Sequence, residues 1–275
     1  MALKLMYITN KENIAKIVEK CGVDWVFIDL EIRGKADRQG HRNTVISNHH
    51  MDDVKKIKKV LTSSDLLVRV NPIYRGSKEE IDRVINDGAD IVMLPFFISR
   101  AEVETFINYV QGRAKTCLLL ETPEAVESID SILTVQGVDC IHIGLNDLHL
   151  AYRMHFMFEL LADGTVEKLV NKINKKGIPY GFGGIARIGE LIPPAENIIT
   201  EHCRLGSSMV ILSRSFCNTN DIKDVNQIED IFITGIREIR DFEATLLKKE
   251  KTFFDKNREI VYDQVMEVVN IIRNK

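Results

Sequence analysis

Eight short apolar runs alternate with helix-type patterns along the chain, and this alternation restricts the fold more than any other feature. Each β-favouring run is followed by a helical pattern rather than by a second strand. Apolar strands linked by helices form a parallel sheet whose outer surface those helices cover. Eight such units match a (β/α)8 TIM barrel, which we predict. A doubly wound α/β sheet is the alternative, disfavoured because no G-x-G-x-x-G follows the first strand.

The predicted elements fill the chain from end to end. The predicted strands are LKLMYIT, DWVFIDLE, DLLVRVN, ADIVMLPF, AKTCLLLET, VDCIHIGL, IPYGFGG and SSMVILS. The predicted helices between them cover residues 10–21, 51–61, 77–87, 100–111, 124–134, 163–176 and 195–205, followed by two more over 221–249 and 254–272. We therefore predict a barrel over residues 1–250 and an additional C-terminal helix over 251–275. That helix packs either on a neighbouring subunit or on its own barrel.

Composition and charge exclude several classes of partner. The 275 residues carry a formal charge of -3 and no basic stripe interleaved with aromatic residues, which predicts no nucleic-acid partner. No apolar run is long enough to span a bilayer and MALKLMYITN lacks a signal-peptide core, so no membrane partner is expected. The scattered cysteines predict free thiols in a reducing compartment, and hence a cytoplasmic protein.

Three charged residues fall at the ends of predicted strands. Arg69 ends the third strand, Glu121 ends the fifth, and Asp147 lies just beyond the sixth. In a TIM barrel these ends form the mouth that holds the active site, and neighbouring strands lie roughly 5 Å apart. Two carboxylates there suit Mg²⁺ or Mn²⁺, and a guanidinium suits a substrate carboxylate. Taken singly, each acid is also a typical helix N-cap, and the arginine a typical structural ion pair.

The chain resembles the HpcH/HpaI aldolase and citrate lyase superfamily from DWVFIDLE to about Phe216. The segments that carry the resemblance are DWVFIDLE, LLVRVNP, GADIVMLPF, LLLETPEAVESID and GVDCIHIGLNDL, in the family's order and spacing. The resemblance implies a TIM barrel, a divalent metal, and a homo-oligomer (trimer or hexamer) that exchanges a C-terminal helix. By position, Glu121 and Asp147 look like the metal ligands and Arg69 like the arginine that binds the substrate carboxylate or enolate.

The match fails at the general base. The pyruvate aldolases of the family carry a histidine directly after the acid of their D-x-E segment, whereas this chain has Ile32. The candidate catalytic residues are therefore Arg69, Asp29, Glu31 and, from the charged second loop, His41. That loop is equally consistent with a solvated surface or with binding of a phosphorylated or multiply acidic substrate.

Further candidates for substrate binding lie at the sixth, seventh and eighth strand ends. Backbone N–H groups at Gly144, Leu145 and Asn146 are placed to hold a substrate carboxylate, and Arg187 and Ser213 to contact an anionic group. The glycines of GFGGIAR would let the backbone approach a ligand closely. His142 is expected to be a core histidine, and NHHMDD is expected to start a helix.

Together these observations predict a metal-dependent carbon–carbon lyase of the class II aldolase type. Its substrate would be a small acidic molecule, a pyruvate-like 2-oxo acid or a related or phosphorylated acid, cleaved through a metal-stabilised enolate. An acyl-CoA lyase of the citrate-lyase beta type is the alternative chemistry. A barrel that binds a ligand without catalysis is the second hypothesis, motivated by Ile32.

Overall fold

The computed structural model describes residues 2–33 and 48–274. Within them, eight parallel strands close into one barrel in chain order, with helices between the strands, and this confirms the predicted TIM barrel. The strands are β1 Lys4–Ile8, β2 Trp25–Asp29, β3 Asp65–Arg69, β4 Ile91–Leu94, β5 Lys115–Leu120, β6 Cys140–Ile143, β7 Tyr180–Ile185 and β8 Met209–Leu212. Every residue of β2, β4 and β6 is buried, as expected for strands that are covered on both faces.

The helices of the described residues follow the predicted order, with two differences. They are Glu12–Lys20, Met51–Val60, Ser77–Asn86, Arg100–Val110, Pro123–Glu127, Ile129–Ile132, Leu145–Ala151, Glu159–Ala162, Thr165–Asn174, Ala195–Leu205, Val225–Leu246 and Lys251–Arg273. The predicted helix over 124–134 is two short helices separated at Ser128, and two short helices after β6 were missed. Helices of four to seven residues are too short to show a clear hydrophobic period.

The described residues fall into two compact units, Met6–Ile141 and Met1–Leu5 with His142–Lys275. In the first unit, β2 and β3 are paired so that Asp29 lies beside Arg69 at the carboxyl ends of both strands. This register places two oppositely charged side chains side by side at the barrel mouth. None of the helices in the described part of the chain is both long and apolar enough to cross a membrane.

Glu19 anchors the chain segment that enters β3. Its Oε1 accepts backbone N–H groups of Thr62, Ser63 and Ser64 at 2.7–2.8 Å. Burial raises the pKa of Glu19, but these hydrogen bonds outweigh burial and lower that pKa to about 2. The Glu19 carboxylate therefore connects the end of the helix Glu12–Lys20 to the start of β3, although the two lie far apart in the sequence.

We expect Glu19→Gln to lower the free energy of unfolding by about 1 kcal/mol at pH 7, because the group is largely solvated and screened. The folded pKa is depressed, so this stabilisation is present above the unfolded pKa and is lost as pH falls towards about 2. Urea unfolding of both proteins between pH 7 and pH 3 measures the difference. A stability gap that widens on acidification would contradict the assignment.

The second unit contains the C-terminal helix Lys251–Arg273, which packs on helices of its own chain. Asn257 Nδ2 donates to Asn197 O at 3.0 Å and to Glu201 Oε1 at 2.9 Å. Arg258 lies 3.3 Å from Glu167 Oε2. We predicted that this helix packs either on its own barrel or on a neighbouring subunit, and the structure shows contacts with its own chain. Packing on a neighbouring subunit and the boundary at residue 250 stay predictions.

The glycines of β7 lie close to other parts of the protein. A Cβ on Gly181 would lie 2.2 Å from Met209 O in β8, where the strand register shifts. Gly183 has a φ of +53°, and a Cβ there would lie 2.8 Å from Leu145 Cδ1. Close passage of β8 at Gly181 and the packing of Leu145 at Gly183 therefore each require a glycine, and close approach of a ligand stays a prediction.

We expect Gly181→Ala to lower the free energy of unfolding by about 3 kcal/mol, because β8 backbone must move to admit the methyl group. Gly177→Ala is the matched control, since a Cβ there meets nothing within 4 Å and only its positive φ opposes the change. The control should lose about 1 kcal/mol in the same urea titration. Equal losses in the two variants would contradict the packing argument.

Candidate functional site

A buried charge cluster occupies the carboxyl ends of β2 and β3. Arg69 Nε and Nη2 each donate to one carboxylate oxygen of Asp29 at 2.9 Å. Arg69 Nη1 lies 3.4 Å from Glu31 Oε2. The Arg69 side chain is 13% exposed, and each acid is 2% exposed. The sequence-predicted residues Arg69, Asp29 and Glu31 are thus brought together at one point.

The electrostatics of this cluster keep Arg69 charged. Burial lowers the pKa of Arg69, but attraction to Asp29 and Glu31 outweighs burial, with a further contribution from Glu121, so the net pKa is raised. The bidentate edge formed by Nε and Nη2 is already filled by Asp29. The predicted fork on a substrate carboxylate would therefore use the remaining Nη N–H groups, and this role of Arg69 stays a prediction.

Glu121, directly after β5, is held by the chain segment after β4. Its side chain is buried, and Oε1 accepts the backbone N–H of Phe96 at 3.2 Å. Phe96 has a φ of +49°, which is uncommon for a residue with a bulky side chain and often marks a functional site. Thr122 fixes the same loop, because its Oγ1 donates to Phe97 O at 2.7 Å and accepts from Ala125 N.

The segment after β2 is fixed through its backbone. Ile32 has no group that accepts a proton and is 64% exposed, so this position supplies neither a base nor an apolar contact in the core. The N–H groups of Ile32 and Arg33 both donate to Asn71 Oδ1 at 3.0 Å. Asn71 Nδ2 in turn donates to Glu80 Oε1 at 2.7 Å. Asn71 and Glu80 were not among the residues predicted from the sequence; the available signal was an asparagine two residues after the strand-end arginine.

The two adjacent histidines begin the helix Met51–Val60, as predicted. His49 also reaches the site, because its Nδ1 accepts the backbone N–H of Asp29 at 3.0 Å. With Nδ1 as acceptor, the neutral ring carries its proton on Nε2, so it is a hydrogen-bond donor rather than a base. The candidate His41 lies outside the described residues.

In the second unit, the helix Leu145–Ala151 starts directly after β6 with Gly144 as its N-cap. Leu145 is buried, so only its backbone could meet a substrate, whereas the Asn146 side chain is exposed. Asp147 is half-buried in the first turn of that helix. The roles predicted for these four residues stay predictions.

The remaining predicted residues of this unit have protein partners. Arg187 forms an ion pair with Glu190 on the loop after β7, whereas its Nε is buried and has no hydrogen-bond partner among the described residues, so its predicted role stays a prediction. Ser213 N donates to Ile185 O at 2.9 Å, and Ser213 O accepts from Phe216 N. His142 is buried and donates from Nε2 to Gly183 O at 3.0 Å, which confirms the core histidine.

Comparison with known proteins identifies a family whose model matches this chain. A model of the HpcH/HpaI aldolase/citrate lyase family matches residues 4–159. No curated protein matches the chain in sequence.

Three similar solved structures share the fold. An HpcH/HpaI aldolase from Desulfitobacterium hafniense DCB-2 is 18% identical with a TM-score of 0.59, over 83% of this chain and 93% of that one. An HpcH/HpaI aldolase/citrate lyase family protein from Burkholderia cenocepacia J2315 is 14% identical (TM-score 0.61; 82% and 95%). Citrate synthase SbnG is 16% identical (TM-score 0.60; 80% and 89%). Since the family model spans more than half of the sequence, the chain belongs to the HpcH/HpaI aldolase/citrate lyase family.

Proposed function

We propose that this protein is a carbon–carbon lyase of the class II aldolase type, which cleaves or forms a bond next to the enolate of a 2-oxo acid. The observation that carries the proposal is the buried cluster in which Arg69 faces Asp29 and Glu31 and is influenced by the charge of Glu121. Family membership and the aldolase and citrate synthase descriptions of similar structures support a reaction of this kind.

A divalent cation, Mg²⁺ or Mn²⁺, fits the donor chemistry of the site. Among residues 2–33 and 48–274, no three His, Cys, Asp or Glu side chains are grouped to hold a metal. Mg²⁺ commonly keeps several waters and takes only one or two carboxylates from the protein. Glu121 would be one such ligand, since it is a buried carboxylate oriented by Phe96. Asp147 is the second ligand that the sequence predicts.

Arg69 and Glu31 have distinct roles in the proposed reaction. A divalent metal held by Glu121 and Asp147 would supply Lewis-acid polarisation of a bound 2-oxo acid. The remaining Nη N–H groups of Arg69 donate to the oxygen that becomes negative as the carbon–carbon bond breaks. Glu31 takes the proton of the substrate hydroxyl, because its contact with Arg69 is longer than that of Asp29. Asp29 holds Arg69 in place.

Two alternatives remain from the sequence. An acyl-CoA lyase of the citrate-lyase beta type would use the same charges on a thioester. A non-catalytic ligand-binding barrel is favoured by Ile32, whose exposed side chain leaves the family's histidine position without a base.

We also propose that the protein is a cytoplasmic homo-oligomer, a trimer or hexamer, without nucleic-acid or membrane partners. Light scattering would test the subunit number.

A substrate panel tests the proposal directly. The purified protein is incubated with hydroxylated 2-oxo acids and with acyl-CoA thioesters, each with Mg²⁺, Mn²⁺ or EDTA, and pyruvate or free CoA is measured. Metal-dependent release of pyruvate supports the proposed reaction, whereas release of CoA products supports the alternative chemistry. Binding of oxo-acids without turnover would favour the non-catalytic barrel. Turnover that EDTA leaves unchanged would contradict the metal assignment.

A further inference from the structure

Asn71 joins the ends of β2 and β3 through its side chain. Asn71 is 7% exposed, and its Oδ1 accepts two consecutive backbone N–H groups, those of Ile32 and Arg33, at 3.0 Å each. Its Nδ2 donates to Glu80 Oε1 at 2.7 Å and, over a longer distance of 3.4 Å, to Leu30 O. One amide group therefore holds the backbone on both sides of Glu31.

We infer that Asn71, backed by Glu80, is the positioning residue that keeps the Glu31 carboxylate against Arg69; this inference rests on the proposed function. The last ladder bond of this strand pair is Leu30 N to Arg69 O at 2.9 Å. Beyond it, the chain leaves the sheet, and the exposed Ile32 side chain gives it no apolar anchor. The two hydrogen bonds to Asn71 Oδ1 take the place of that anchor.

Glu80 sets the orientation of the Asn71 amide. Glu80 Oε1 accepts both Asn71 Nδ2 and, at 3.3 Å, Asn71 N. Because Oε1 accepts the backbone N–H of Asn71, it is an acceptor, and it selects the rotamer in which the donor Nδ2 faces Glu80 and Oδ1 faces Ile32 and Arg33. Burial raises the pKa of Glu80, and the hydrogen bonds from Asn71 act against that increase. Glu80 is bonded to Asn71 and does not itself touch the charge cluster, so it acts on that cluster through the Asn71 amide.

The arrangement allows a test by exchange of donor and acceptor. Asn71→Asp keeps an oxygen for Ile32 N and Arg33 N but places a second carboxylate against Glu80. The double variant N71D/E80Q restores one donor and one acceptor across that contact, with the donor now on residue 80.

We expect N71A and N71D to lower kcat for the oxo-acid by about 10- to 100-fold, with KM changed less than about threefold. Misplacement of a catalytic group by about 1 Å has effects of this size. We expect N71D/E80Q to recover to within about tenfold of the wild type.

Hydrogen exchange of the Ile32 and Arg33 amides reports the contact without reference to activity. Protection of both amides should be lost in N71A and regained in N71D/E80Q. Asn257→Ala is the matched control, because Asn257 is another buried asparagine bonded to a glutamate, far along the chain. It should lower thermal stability and leave kcat unchanged.

The outcomes separate this inference from the proposed function. Lost amide protection with wild-type kcat in N71A would overturn the positioning role while leaving the lyase proposal intact. Should N71A fail to fold, N71D/E80Q decides: restored protection with restored kcat supports the role, and restored protection with kcat still more than tenfold reduced overturns it. A wild-type protein without turnover on the substrate panel would overturn the proposed function, and this inference with it.

Discussion

Glu121→Gln is expected to lower kcat/KM for metal-dependent cleavage by about 1000-fold or more, equivalent to roughly 4 kcal/mol of transition-state stabilisation. The substitution removes the charge that would bind the cation but keeps a carbonyl oxygen in the place of Oε1. That oxygen can still accept the backbone N–H of Phe96, so the fold of the β4 loop should survive. Steady-state kinetics over a range of Mg²⁺ and Mn²⁺ concentrations measures the effect.

Two variants separate a metal ligand from a structural acid. Glu102→Gln is the matched control, since Glu102 also accepts a backbone N–H, that of Ile98 at 2.7 Å, but on the surface. It should leave kcat/KM unchanged. Asp147→Asn should reproduce the loss seen in Glu121→Gln if the sequence-predicted ligand pair is correct. Metal-dependent turnover within tenfold of the wild type in Glu121→Gln would contradict the assignment of Glu121.

The barrel and the location of its charged residues could be predicted because both depend on local pattern. Apolar strands covered on both faces have few alternatives to a parallel sheet, and the carboxyl ends of such strands necessarily collect the residues that follow them. Arg69 and Glu121 occupy strand ends for this reason alone. The order of elements in the chain was enough to place them, without knowledge of any side-chain contact.

The contacts that decide what those charges do were not predictable in the same way. The pairing of Arg69 with Asp29 depends on the register of two strands separated by about forty residues, and a shift of one residue would point the side chains to opposite faces. Asn71 and Glu80 were missed because a side-chain hydrogen bond to a distant backbone leaves no periodic signal. The sequence likewise did not show which N–H groups of Arg69 are occupied by Asp29.

The glycines of β7 illustrate a local pattern that has two possible causes. A run of glycines at a strand end permits close approach of either a ligand or another strand, and the sequence does not distinguish the two. In the structure Met209 O fills the space beside Gly181. The requirement for glycine was thus visible in the sequence, whereas the group that imposes it was set by the tertiary structure.

Arg69→Met is expected to lower the free energy of unfolding by about 3–5 kcal/mol, because it leaves two buried carboxylates without their counter-charge. Trp25 is the single tryptophan and is buried at the start of β2, so its fluorescence during urea unfolding reports the change.

Arg69→Lys distinguishes the charge from the geometry of the guanidinium. An ammonium keeps the positive charge but cannot donate along two parallel directions to Asp29, so stability should fall less than in Arg69→Met. Turnover should still fall in both variants, because the lysine cannot hold Asp29 in the bidentate geometry and at the same time donate to a developing enolate oxygen. A loss below about 1 kcal/mol in Arg69→Met would show that the cluster is screened by solvent and contributes little to the fold.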